Sequence, residues 1–422
     1  MPGAVTHRRA MRAVSLACLL MGACGGSPVE TGPGAGGTGG GAGSSGTGGG
    51  GSGSAGTTGT AGAGPGAGGG GGAAGTGTAG TGGAAGVGTG TAGAGGSSCT
   101  TPPAASELVG WAANGTGTTG GGSATPQTVT TVAALNAAAA GTSPAVIYVT
   151  GVLPADTVTI GSNKTIVGLC GAEIHGHIDI TMSSNVIVRN IKVVGFGVGN
   201  CTLDPAFVAA VGCSSGNDAI TVARSNHIWF DHLDVSDGTD GNLDVTLGSD
   251  FVTVSWTKFH YTARTDNTGN DSTGASGHRF SNLVGGDDNS SPDIGKLNVT
   301  WHHNWWADRV VERQPRIRYG KNHLYNNLWT SSGDNYCVRS GMNAQILLES
   351  NVFVGVKSPH EFNNTADQGT SSITSTNNVY SGTSGTQATG GGGTAFTTPT
   401  YSYLLDAASS VQAAVQAGAG PH

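Results

Sequence analysis

Asn226-His-Ile-Trp-Phe-Asp-His-Leu-Asp-Val235 is a short alternating apolar run hemmed in by polar residues, and the chain repeats the pattern. Thr165-Ile-Val-Gly-Leu169 and Asn185-Val-Ile-Val-Arg-Asn-Ile-Lys-Val-Val194 precede it. Asp250-Phe-Val-Thr-Val-Ser-Trp256, Leu297-Asn-Val-Thr-Trp-His-His-Asn-Trp305, Lys321-Asn-His-Leu-Tyr-Asn-Asn-Leu328 and Asn343-Ala-Gln-Ile-Leu-Leu-Glu-Ser-Asn-Val-Phe353 follow. Each reads as a strand of about three to five residues with period-two alternation, and no long amphipathic helix interrupts the series. One unit per roughly 20–25 residues, with polar, Gly-rich insertions in some units, is the pattern of a parallel β-solenoid. Each coil leaves an apolar edge that only the next coil can cover. Asn190, Asn304, Asn327 and Asn351 fall at turns. There asparagine tolerates the left-handed conformation, and its amide can bond the same amide one coil on. A β-sandwich would need antiparallel hairpin signals at regular spacing, and these are scarce. The expected fold is therefore all-β, a parallel β-helix.

Outward from these repeats the composition changes. Of 78 glycines, 35 fall in Thr31–Ser98, a stretch without a single Asp, Glu, Lys or Arg. Such a segment buries too little to offset its ordering entropy and is expected to be a disordered linker, spanning 25–98. Ahead of it, Arg8, Arg9 and Arg12 precede the apolar run Ala13–Leu20 and then Met21-Gly-Ala-Cys24. This is a signal-peptide pattern over 1–24, too short to span a bilayer, and its ending is similar to a lipoprotein signal with Cys24 as the lipidated residue. The linker would then tether the folded part at roughly 45 Å from a membrane surface. The expected location is secreted or cell-surface, with membrane contact only through that anchor.

The folded part, 99–422, is acidic. Among 18 basic and 25 acidic residues only Arg8, Arg9, Arg12 and Glu30 precede it, leaving 15 against 24. A nucleic-acid partner is not expected, and a charged content of 10% argues against a coiled coil or helical bundle. Five cysteines remain after the leader, so at least one is unpaired, with Cys201 and Cys213 the best disulfide candidates in an oxidising compartment.

Three constellations carry possible chemistry. Asp218 lies on one coil and Asp237-Gly-Thr-Asp240-Gly-Asn-Leu-Asp244 on the next. Stacking would bring Asp218, Asp240 and Asp244 into an open cluster suited to a hard cation such as Ca²⁺, although Asp-Gly pairs also suit a solvated turn. Arg309, Arg313, Arg316, Arg318 and Lys321 gather within thirteen positions. Arg313-Gln-Pro-Arg-Ile-Arg-Tyr-Gly320 reads as a strand that puts Arg316 and Arg318 on one face, where guanidinium forks match the carboxylates of a polyanion. Trp301-His-His-Asn-Trp-Trp306 reads as hydrogen-bonding turn histidines between tryptophans that either pack in the core or stack on sugars.

In order, Asn185–Ile191, Ile228-Trp-Phe-Asp-His232, Asp240-x-x-x-Asp244, Val252–Trp256, Val299-Thr-Trp-His-His-Asn304, Arg313–Gly320 and His323-Leu-Tyr-Asn-Asn327 closely resemble the pectate lyase superfamily, polysaccharide lyase family 1. The resemblance implies a right-handed parallel β-helix, expected monomeric, that cleaves polygalacturonate by β-elimination with Ca²⁺. It makes Asp218, Asp240 and Asp244 the calcium ligands, Arg313 the base and Arg318 a substrate-binding arginine. Arg316 joins that set through its shared face. Where the family has a lysine before a Leu-Ile-Gly turn this chain reads His278-Arg-Phe280, with Phe280 at the lysine's place and Arg279 the candidate replacement. Arg316, Arg318 and the bound Ca²⁺ are together expected to push the pKa of Arg313 down as like charges. The alternatives are a pectin lyase acting on methylated polymer, which would lack the three acids, and a surface β-helix that only binds polysaccharide.

Overall fold

The computed structural model describes residues 101–197, 201–210, 216–262 and 278–422. The leader, Cys24, the Gly-rich linker, Cys99 and Cys213 lie outside the described residues. Within them the chain winds as a parallel β-helix of three ladders, and every pairing between named strands is parallel. One ladder runs from Ile178–Thr181 through Ile220–Ala223, Leu243–Thr246, Leu283–Val284, Arg316–Ile317 and Val338–Ser340 to His360–Phe362. A second stacks Ser184–Arg189, Asn226–Asp231, Asp250–Ser255, Val299–His302, Lys321–Tyr325, Gln345–Glu349 and Ser372–Thr376. The third stacks Lys192–Val194, Asp234–Ser236, Lys258–His260, Trp305–Trp306, Leu328–Trp329, Val352–Val354 and Val379–Ser381.

Register turns sequence alternation into columns of like residues. In the third ladder Phe259, Trp306, Trp329, Phe353 and Tyr380 occupy successive coils and point inward, with centroids 4.7 Å apart for Trp306 and Trp329 and 4.3 Å for Trp329 and Phe353. Trp301 and Trp306 are fully buried in the core with Trp329, whereas Trp305 of the 301–306 block is half-buried on the outer face beside Leu328 and Val352. The asparagine column is also present, as Asn304–Asn327–Asn351–Asn378. Two details differ from the sequence reading. The left-handed residue is the one before each ladder asparagine, namely His303, Asn326, Ser350 and Asn377. That backbone bend turns the next amide along the solenoid axis. Asn190, itself left-handed, bonds instead to the carbonyl of Gly168 and to His422.

One end carries a helix. Val132–Ala139, capped by the Thr131 hydroxyl accepting from Ala134 N–H, buries Val132, Leu135 and Ala139 in the core at the N-terminal end. Another helix, Ala408–Gly418, lies on the flank of the third ladder. The reason is alternation. Inward Trp329 and Phe353 leave Leu328 and Val352 facing outward, and Val411 and Val415 cover them. Cys170 and Cys201 each take part in a disulfide, Cys213, the expected partner of Cys201, lying outside the described residues, and Cys337 is a buried free thiol. Among the described residues no helix is long and apolar enough to cross a membrane.

Candidate active site

The first ladder carries the site. Asp218 sits just before Ile220–Ala223, while Asp240 and Asp244 bracket the start of Leu243–Thr246 one coil on. Ala219 N–H donates to the Gly241 carbonyl at 2.9 Å, and Thr221 lies in register with Asp244. Stacking thus draws the three carboxylates around Gly241. A Cβ built on Gly241 would meet Asp218 Oδ1 at 2.8 Å and Asp244 Oδ1 at 3.2 Å. Asp218 Oδ2 accepts from the Thr221 hydroxyl at 2.9 Å, whereas Asp218 Oδ1 is buried without a partner. Asp244 Oδ1 accepts from Leu283 N–H at 2.9 Å. Asp240 is held from outside, its Oδ1 and carbonyl 3.0 and 3.1 Å from His278 Nε2.

Burial, and then the charges of Asp244 and Asp240, push the Asp218 carboxyl well above the carboxylate range. Asp244 is pushed up to about 7, chiefly by burial, with Arg313 opposing. Burial would raise Asp240 too, but the His278 hydrogen bond and Arg313 outweigh it and hold it low. These oxygens fit a hard cation. One is orphaned and a second converges on it over a glycine that leaves the space open. Among the described residues no three His, Cys, Asp or Glu side chains close around an ion by themselves, so a cation here would complete its six to eight oxygens with water or ligand.

Arg313, with φ 57°, faces this cluster from two coils on. Its carbonyl accepts from Asn282 N–H at 2.7 Å, and its guanidinium lies 4.5 Å from the centre of the Phe280 ring. Phe280 in turn packs on His278 at 4.2 Å. The protein's own groups do not lower the Arg313 pKa, whatever a bound cation would add. Burial does pull it down, but Asp240 and Asp244, followed by Tyr336 and Asp218, more than offset that and hold it above its ordinary value. The sequence reading weighed the neighbouring arginines and left out the acids that face the same guanidinium.

Arg316 is where like charge tells. Burial, then the Arg318 charge, lowers it to about 10. Its Nη2 donates to Asn363 Oδ1 at 3.2 Å, and its Nε is buried without a partner. Arg318 is buried, with Nε on the Asp288 carboxylate and Nη1 on the Gly285 carbonyl at 2.9 Å. Arg279 is also buried, its Nε donating to the Arg309 carbonyl at 2.9 Å. Lys321 leaves the cationic group altogether, because it opens a strand of the second ladder. Four residues escaped the sequence reading: His278 and His177, which hold Asp240 and the carbonyl of Asp218 (Nδ1 2.7 Å away), Asp288, and Phe280 as a platform. Only His278 and Phe280 stood in a stretch already under scrutiny.

Residues 73–422 match a family model described as pectate lyase. Pectate lyase B of Colletotrichum gloeosporioides is 36% identical over 299 residues, covering 68% of this chain and 78% of that protein. Pectate lyase A of Aspergillus niger is 36% identical over 241 residues, covering 54% of this chain and 64% of that protein. Among solved structures, a pectate lyase from Bacillus sp. N165 in complex with trigalacturonate superposes with a TM-score of 0.58 at 23% identity, covering 75% of this chain and 99% of that one. A Xanthomonas campestris pectate lyase gives 0.57 at 24%, covering 74% and 98%. The family model and these relatives make the chain a polysaccharide lyase. The chain belongs to the pectate lyase family.

Proposed function

We propose that this chain cleaves polygalacturonate by β-elimination in a Ca²⁺-dependent reaction, with Asp218, Asp240 and Asp244 as the metal ligands. The supporting observation is the orphaned Asp218 Oδ1 beside Asp244 Oδ1 at the open Gly241 position, facing Arg313 across the same ladder. When bound, the cation would supply positive charge to the substrate's C6 carboxylate and so favour the enolate-like anion formed on proton loss. Arg316, through its free Nε, and Arg318 would orient that carboxylate. Arg279, beneath them on the Arg309 carbonyl, would shape the same wall. Arg313 would take the C5 proton as the C4 glycosidic oxygen leaves. An arginine base is demanding, since guanidinium is charged at any ordinary pH. The acids that raise its pKa are the ones a cation would neutralise, so base strength at Arg313 and occupancy of the acid cluster are coupled. The acids also favour this reading over a pectin lyase, which has no use for them.

Absorbance of the unsaturated product end tests the reaction. Polygalacturonate should yield it, and chelator should abolish it; reducing ends without absorbance would mean hydrolysis. Arg313→Lys keeps the charge but not the fork. It should lower kcat at least ~100-fold with KM little changed, whereas Arg318→Lys should raise KM more than it lowers kcat. An Arg313→Lys enzyme impaired in KM alone would remove Arg313 as the base. The leader supports export, with Cys24 lipidated; Cys24→Ala would then release the enzyme from membranes at unchanged specific activity.

A further inference from the structure

Round the corner from the arginines, between the Trp111 segment and the Gly392–Thr394 segment, runs a groove of about 940 Å³. Its walls include Trp111, Asn114, Asn298, Lys321, Asn343 and Gln345, and none of the acid or arginine residues of the active site. The solenoid spaces these groups along its axis. Lys321 and Gln345 are register partners on adjacent coils, and Asn298 Oδ1, one coil earlier, accepts from Lys321 N–H at 3.0 Å.

Three features of the groove point to a ligand. Lys321 is exposed and the walls contain no Asp or Glu, in a chain of net charge −7. Among the described residues its ammonium has no ion-pair partner, and the side-chain amides of Asn114, Asn343 and Gln345 make no hydrogen bond. The indole of Trp111, 5% exposed, is fixed by Phe251, Phe396 and Tyr401, yet its Nε1 is buried without an acceptor. A buried donor left unpaired is costly, and here it belongs to a groove wall. An unpaired indole N–H and unpaired amides are donors that sugar hydroxyls satisfy, and one unpaired ammonium without a carboxylate selects an acidic sugar.

We propose that this groove is a second polysaccharide-binding site that holds a stretch of uronate chain away from the reacting residues. The assignment rests on the reading of polygalacturonate as substrate. It requires polymer affinity to depend on groove residues while the turnover of short oligomers does not.

The test uses the full chain with Lys321→Glu and, separately, Trp111→Phe, which keeps an aromatic ring but deletes the orphaned donor. Native electrophoresis in gels containing polygalacturonate reads binding, and steady-state kinetics on polygalacturonate and trigalacturonate read its consequence. Lys321→Glu should lose retardation and raise KM for the polymer about 3- to 10-fold, leaving kcat and KM for trigalacturonate unchanged. Trp111→Phe should weaken retardation without lowering the unfolding midpoint. Wild-type retardation in both variants, or equal losses on polymer and trimer, would overturn the proposal. Equal retardation of the wild type by an uncharged galactan would overturn the acidic-sugar assignment. Absence of unsaturated product from wild-type enzyme would instead defeat the catalytic reading, and retardation would still be readable.

Discussion

Two corners of the same coils meet opposite fates. At the corner between the second and third ladders, each asparagine Oδ1 takes both the backbone N–H and the amide of the asparagine one coil before. The distances are 2.9 and 3.1 Å onto Asn327, 2.9 and 3.0 Å onto Asn351, and 2.8 and 2.9 Å onto Asn378. Each ladder amide also reaches a main-chain carbonyl, as Asn327 Nδ2 does at Trp301 O, 2.9 Å. Amides carry donors and acceptors together, so stacking them saturates both. Across the coil the same repeat stacks carboxylates and guanidiniums. Those have only acceptors or only donors, and stacking leaves Asp218 Oδ1 and Arg316 Nε buried and unmet. The solenoid supplies a spacing of about 4.8 Å at both corners. Residue chemistry decides whether that spacing closes a structure or leaves valence for a ligand.

The largest effect should come from the closed side. Trp329→Ala empties the middle of the aromatic column and should cost ~3–5 kcal/mol in chemical denaturation; a loss under ~1 kcal/mol would mean the column bears little of the fold. Asn327→Leu, which strands the Asn304 N–H groups and the Trp301 carbonyl, should cost roughly 2–4 kcal/mol. Its kcat should stay unchanged, and altered catalysis would show that the two corners are not independent. On the open side the pattern should invert. Asp244→Asn keeps the shape and removes one of the crowded charges, so the unfolding midpoint without Ca²⁺ should hold or rise. The Ca²⁺ needed for half activity should rise at least ~10-fold. Wild-type activity at limiting Ca²⁺ would dismiss Asp244 as a ligand.

The smallest effect concerns the histidines near the asparagine corner. His303 Nε2 meets Asp406 at 3.1 Å, and His323 meets Glu349 and Tyr401 at 2.9 Å each, fastening the C-terminal segment. Burial lowers the pKa of His302, His303 and His323. The unfolded chain therefore binds more protons below pH 6.5, and this stability is present above that pH and lost as pH falls through it. The unfolding midpoint should decline on acidification from about pH 7 to 5, and His303→Asn should flatten the slope. A midpoint rising over that range would contradict the assignment.

The apolar runs of 185–353 were sufficient to read the solenoid, because a coil that buries one face must write period-two alternation into each strand. Asp218, Asp240, Asp244 and Arg313 were legible through ordered motifs, since stacking converts sequence separation by one coil into neighbourhood. What the sequence could not settle depends on atoms brought together from distant coils. Whether Arg313 is raised or lowered turns on the three acids that face it rather than on the arginines beside it in the chain. Phe280 became its platform only when one coil was laid on the next. The sidewise place of Ala408–Gly418 was decided by which residues of Leu328–Trp329 and Val352–Val354 had already turned inward. Periodicity is a local property and survives in a string of letters. Electrostatic sign, orphaned donors and the walls of a groove are sums over neighbours that only the folded chain assembles.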